Sequence, residues 1–235
     1  MLLQNKRIDI HNDWYNTLRE YIESDEFTAI SKFLKNEAAE TKIYPPGKDI
    51  FRAFQLTSLK DLKVVVVGQD PYPNEYRGEP VACGLSFAPR HKDHMPPSLR
   101  NIYHAIKTEL YGEEDDEYLQ LDIEDWARQG VLMLNTALTV RAGQPKSHLK
   151  LWENWTLAVI KAINDYSDNV NFCLWGADAQ KLANRIGGNH FVLTEKHPVA
   201  AAYQGGKWEC SHFRIINHYL WKYNKDQINW LKRIK

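Results

Sequence analysis

The sequence is short of cysteine, of net charge and of long apolar runs. Its 235 residues hold three cysteines, Cys83, Cys173 and Cys210, an odd number at wide spacing that gives no disulfide framework. No C-x-x-C pair offers a zinc site, and three thiols exclude a four-cysteine iron–sulfur centre within one chain. Thiols this scarce fit a reducing compartment, so a cytoplasmic setting is expected. Lys and Arg number 30, and Asp and Glu 30, for a net charge of zero. That balance leans against a dominant phosphate-binding surface, although charge can be segregated on a neutral protein. The longest apolar runs, 64–67 and 131–134, fall far short of the ~20 residues that span a bilayer, and no membrane partner is expected. The opening Met1-Leu2-Leu3-Gln4-Asn5-Lys6-Arg7 quickly becomes charged and carries no secretory apolar region. No Walker or G-x-G-x-x-G loop occurs, and His91 and His94 lack further ligands at metal spacing. Neither metal nor cofactor is expected.

What is present is core material. The chain is 43% hydrophobic and 26% charged, with eight Trp, twelve Tyr and eight Phe, which excludes a disordered chain. No repeat, low-complexity stretch or Pro/Gly/Ser-rich linker divides it, so residues 1–235 are read as one domain, with 1–9 as a loosely ordered N-terminal segment. Trp14, Leu18, Tyr21 and Ile22 fall at helical spacing behind Asn12 or Asp13 as cap, and Phe27, Ile30, Phe33 and Leu34 repeat the pattern. From residue 63 the period changes. Short apolar runs at 63–67, 131–134, 170–175 and 191–194 read as buried strands. Between and after them lie helical patterns: Leu99 to Leu110 behind Pro96-Pro97-Ser98 as a capped helix, Trp152 to Ile163, a short helix over 177–185, and Phe213 to Leu220. This alternation predicts an α/β fold, a single domain with a central four-stranded, mostly parallel sheet flanked by helices.

Each strand runs into a polar cluster: Gly68-Gln69-Asp70-Pro71-Tyr72-Pro73, Asn135-Thr136, Gly176-Ala177-Asp178 and Glu195-Lys196-His197-Pro198. All four lie at carboxyl ends of parallel strands, where open α/β sheets bind ligands. Asp70, stiffened by Pro71 and Pro73, suits general-base or electrostatic work, or it simply caps a turn. His197 is a catalyst or a structural hydrogen-bonder. Asn135 reads a base edge or caps a loop. Phe87 is a stacking platform or plain core.

Taken together the motifs are more specific. Gly68-Gln69-Asp70-Pro71-Tyr72, Gly84-Leu85-Ser86-Phe87, Pro97-Ser98-Leu99-Arg100-Asn101, Leu134-Asn135-Thr136-Ala137-Leu138-Thr139-Val140-Arg141 and His197-Pro198 resemble family 1 uracil-DNA glycosylase in order and spacing, over roughly residues 10–232. The resemblance implies a monofunctional N-glycosidic hydrolase that flips deoxyuridine out of DNA, releases uracil and so begins base-excision repair. On it, Asp70 orients or activates the attacking water and stabilises the cationic sugar, and His197 hydrogen-bonds uracil O2. Gln69 contacts the base through its backbone, Tyr72 excludes a 5-methyl group, Phe87 stacks on uracil, and Asn135 pairs with its N3 and O4 edge. Ser98, with Pro97 beside it, grips a DNA phosphate. The implied partners are uracil-containing DNA, single- or double-stranded, and a DNA-mimicking inhibitor protein; a monomer is expected.

The sequence also departs from the family. Pro73 stands where a His is usual. The loop between Asp70 and Phe87 is longer by about four residues, and its Arg77 adds a DNA contact or is merely solvated. Ala201 falls at the position of the leucine that fills the emptied stack, and Ala is smaller than the usual apolar wedge. Of Tyr203 and Gln204 just beyond, Tyr203 is the expected substitute, because a ring fills the gap and stacks on bases. Val199 and Ala177 replace phosphate-gripping serines. These losses imply weaker duplex binding and a preference for single strands. A uracil-DNA-binding or replication-associated scaffold with little catalysis is the competing class, and a mismatch-specific sister glycosylase a third. Acidic runs at 113–117 and 122–125 lie away from the motifs, while Arg77, Arg90, Arg100, Arg141, Lys146 and Lys207 supply positive charge near the crevice. A shallow salt dependence of DNA binding is expected.

Overall fold

The structure, a computed structural model, describes residues 8–112, 119–200 and 207–233. Ala201, Tyr203 and the acidic run at 113–117 lie outside the described residues. Ile8, within the segment expected to be loose, is 2% exposed and packs into the core.

Four strands form the central sheet: β1 (Val64–Gly68), β2 (Val131–Asn135), β3 (Asn171–Trp175) and β4 (Phe191–Glu195). Their order is β2-β1-β3-β4, and every pairing is parallel. The first three are buried along their whole length, which is why their sequences read as unbroken apolar runs rather than alternating ones. At the edge, β4 alternates between half-buried and exposed residues. The register sets Gly68 beside Asn135 and Trp175 beside Glu195, so the polar clusters leave the sheet at one level.

The main helices are α1 (Asp25–Glu40), α2 (Pro97–Ile106), α3 (Leu149–Tyr166) and α4 (His212–Lys222). Ser24 caps α1 by accepting the Phe27 N–H at 3.2 Å. Several expectations need correction. The first helix is two short pieces, Asn12–Thr17 and Arg19–Ile22, and its N-cap is His11. Asp13 is inside the helix, where one carboxylate oxygen accepts from the Lys60 N–H at 3.0 Å. Phe33 lies off the buried stripe of α1, 42% exposed, with its ring edge-on to His148. Helix α2 has no side-chain cap; Pro97 fills its first position, where a missing N–H costs nothing. It gives way to a π-helical turn, Lys107–Tyr111, so Leu110 lies outside it. The helix expected over 177–185 splits into Ala177–Gln180 and the 3-10 turn Ala183–Arg185.

The longer loop is a hairpin, pairing Glu75–Tyr76 with Glu79–Pro80. Its two tip residues, Arg77 (φ 52°) and Gly78 (φ 80°), are both left-handed, the geometry whose twist matches that of paired strands. The Arg77 guanidinium sits 2.7 Å from an Asp93 carboxylate oxygen and over the Tyr76 ring. Among the described residues no helix is long and apolar enough to cross a membrane, and no cluster of His, Cys, Asp and Glu could hold a metal.

Candidate active site

A cavity of about 210 Å³ opens at the carboxyl ends of β1 and β2. Gln69, Asp70, Tyr72, Phe87, Ser98, Asn135 and His197 all line it, so seven residues from five segments meet in one place. Pro97 is exposed at the start of α2 and does not line it.

Local chemistry explains each placement. A Cβ on Gly68 would collide with the Asn135 side chain and stand 2.8 Å from Ser86 Cβ, so only glycine lets the strand tip pass between them. Asn135 ends β2, and its side-chain amide has no hydrogen bond among the described residues, which leaves it turned to the cavity. Gln69 is fixed from both sides. Its carbonyl accepts from the Ala137 N–H at 2.9 Å and the Thr136 hydroxyl at 2.7 Å, and its side-chain amide donates to Asp178. Phe87 adopts φ 60°, a left-handed conformation that costs a bulky residue about 1–3 kcal/mol. Its carbonyl accepts from the Tyr72 hydroxyl at 3.1 Å, and its ring lies 5.6 Å from Trp175 and 5.8 Å from His197. Thus one tyrosine both walls the cavity and staples the aromatic floor.

His197 is held by its neighbours. Gly176 has φ +95°, and a Cβ there would stand 2.9 Å from His197 Cβ. The Val199 N–H donates to His197 Nδ1 at 3.2 Å, which places the proton of the neutral ring on Nε2. Asp70 accepts the backbone N–H of Lys146 at 2.5 Å, and Lys146 itself has φ 68°. A larger cleft, about 430 Å³, lies behind Gln69 between α3 and residues 178–185. Its carboxylate bonded to Gln69, Asp178, is already paired with Lys146 and Lys181 at 3.1 and 2.5 Å. The smaller cavity is therefore where uncommitted groups converge.

Residues 54–221 match the family model of the uracil DNA glycosylase superfamily. The chain belongs to that superfamily. A uracil-DNA glycosylase of Buchnera aphidicola is 41% identical over 220 residues, 92% of this chain and 97% of the relative. One of Acinetobacter baumannii is 41% identical over 230 residues, 95% of this chain and 93% of the relative. Among solved structures, mimivirus uracil-DNA glycosylase superimposes with a TM-score of 0.85 at 25% identity, covering 97% of this chain and 89% of that one. A mimivirus UNG variant in complex with UGI gives 0.84 at 27% identity, over 94% and 88%.

The electrostatics suit this superfamily member. Burial pushes the Asp70 carboxyl above its ordinary value, while the Lys146 N–H and charge oppose that rise. Burial pushes His197 below 6.5, which keeps it neutral at pH 7. Burial also raises the Tyr72 phenol, with a smaller opposing effect from the Ser98 hydroxyl. Lys181 and Lys146 hold the Asp178 carboxyl down at about 2. Sequence reasoning placed Lys146 near the crevice only as a charge. Its role as backbone donor has no sequence signal, since lysine is not a residue that favours φ > 0.

Proposed function

We propose that Asp70, Asn135, Phe87 and His197 carry out the removal of uracil from DNA, the hydrolytic activity of this superfamily in base-excision repair. The observation that carries the reading is that a carboxylate, an amide, an aromatic face and an N–H donor share one cavity. A base stacked in a duplex cannot enter it, so the nucleotide is extruded at a cost of a few kcal/mol. Phe87 stacks on the base and Asn135 binds its N3 and O4 edge. The bond between C1′ and N1 then breaks, its electron pair leaving with uracil. The Nε2–H of His197 donates to O2, where negative charge develops, and helps most in the transition state. Asp70 faces the cationic sugar and takes a proton from the water whose oxygen bonds to C1′. Tyr72 occupies the space that a 5-methyl group would need.

Ser98 and Pro97 are assigned to the DNA backbone on the family resemblance. Ser98 is 9% exposed and lines the cavity, which supports a contact close to the extruded nucleotide. Ala201 is assigned to the wedge position and Tyr203 to the wedge itself. If Tyr203 fills the emptied stack, Tyr203→Ala slows excision from paired uracil more than from unpaired uracil; equal rates with wild type on duplex sink that assignment. Comparable wild-type activity on both strands overturns the single-strand preference. A DNA-mimicking inhibitor is the proposed protein partner, supported by the UGI complex of the mimivirus relative. A monomer acting in the cytoplasm is proposed on three free, buried thiols and ordinary composition.

The deciding assay is uracil release from single- and double-stranded oligonucleotides by wild type and Asp70→Asn. Removing the base is expected to cost roughly 10²–10⁴-fold. Binding of uracil-DNA by wild type without release would instead favour the scaffold reading.

A further inference from the structure

We infer that Glu37, on α1 and outside the cavity, is a positioning residue for Asp70, an inference that rests on the excision chemistry above. Glu37 is 8% exposed, and its carboxylate binds both ends of a single segment, residues 141–148. Arg141 Nε donates to one oxygen, and His148 Nε2 lies 3.1 Å from the other. The direction of every proton in this network is determined. Trp152 Nε1–H can only donate, and does so to Thr139 Oγ1 at 2.7 Å. The Glu37 carboxylate can only accept, so the proton of the neutral His148 ring sits on Nε2, aimed at Glu37, and Nδ1 accepts from the Thr139 hydroxyl at 2.8 Å. Burial holds that ring neutral.

The segment so pinned is closed on itself and against the site. The Arg141 N–H donates to Ser147 Oγ at 2.9 Å, and the Gly143 N–H to the carbonyl of Pro73 at 2.8 Å. At its far side Lys146, in the left-handed conformation, delivers its N–H to Asp70 at 2.5 Å. A strained residue persists only where its surroundings over-determine it. Here the segment's own backbone bonds supply part of the over-determination, and Glu37 adds the side-chain anchor common to both ends, with both its oxygens satisfied. The segment is thus a bracket: α1 holds its two ends and Asp70 rests on its tip.

The test is a double-mutant cycle. Glu37→Gln keeps the volume, but its amide cannot accept from both Arg141 and His148. A base misplaced by about 1 Å costs on the order of 10²-fold, so single-turnover uracil release should fall ten- to a hundredfold. Affinity for the oligonucleotide should stay within about threefold, because the contacts to the base are untouched. The acid limb of the rate should move to higher pH as Asp70 loses its donor; Lys146 and Asp178 are the charged groups that face it. In an Asp70→Asn background the same change should cost nothing further, since Glu37 acts through Asp70. Arg141→Lys, which frees one end of the segment, should show the same signature more weakly and serves if Glu37→Gln does not fold. The inference is overturned if folded variants keep the wild-type rate and acid limb, or if their losses multiply with that of Asp70→Asn. Wild-type uracil release, measured alongside, tests the excision reading separately.

Discussion

At the residue scale, the site depends on two groups held away from their solution behaviour. In the proposed chemistry Asp70 must be ionised to take a proton, and His197 must be neutral to donate one from Nε2 while accepting at Nδ1. Burial raises the first and lowers the second, so the two values approach each other. Excision should therefore fall on the acid side at a pH above the ordinary aspartate value of 3.8. Lys146→Met removes a charge that opposes the rise and releases Asp178, whose charge adds to it. Both effects have the same sign. The acid limb of this variant, read from a pH–rate profile, should lie above that of wild type; a limb that stays or falls contradicts the assignment of Lys146.

At the element scale, the sheet delivers chemistry only because its tips are level. Gly176 shows how narrow the tolerance is. Alanine there must adopt φ near +95° and press against His197. Gly176→Ala is expected to lose about 1–3 kcal/mol of stability and to slow excision more than it weakens DNA binding. Gly187→Ala, whose Cβ would meet nothing closer than 3.9 Å, is the control, and chemical denaturation with single-turnover rates compares them. The same elements show what a sequence can reveal. The four strands were legible because burial on both faces forces continuous apolar runs. The clusters that follow them were legible because polar residues right after such runs have nowhere else to lie. Helix ends were not: Asp13 and Ser98 look like caps but bond to Lys60 and face the cavity, respectively. The bracket of Glu37, Arg141 and His148 was invisible, because residues about a hundred positions apart meet only through the packing of α1 against the chain after β2.

At the scale of the whole molecule, charge and burial set two responses. His148, His190, His197 and His212 are all depressed by burial. Near and just below 6.5 the unfolded chain binds more protons than the folded one, so stability falls as pH drops through that window. Thermal unfolding followed from pH 7.5 to about 5.5 should show a declining midpoint; a flat midpoint argues that these rings are solvated. The second response is to salt. Of the six cations expected near the crevice, Arg77, Arg90, Arg141 and Lys146 are committed to Asp93, Asp49, Glu37 and Asp178. Two remain, Arg100 and Lys207. At about 0.9 per neutralised phosphate, the slope of log affinity against log salt should be near −2, and a slope beyond about −5 contradicts it. One further feature bears on how such a molecule changes over time. Just beyond His197 the chain is tied by Asn101, whose amide donates to the Pro198 carbonyl at 2.6 Å, and Trp208 returns to the Lys196 carbonyl at 2.9 Å. Both posts hold main-chain carbonyls that flank His197, at Lys196 and Pro198, so the ring is anchored through its immediate neighbours in the chain. Changes of sequence further along should therefore pass through the lineage without displacing that ring, and the excision chemistry should be inherited with it.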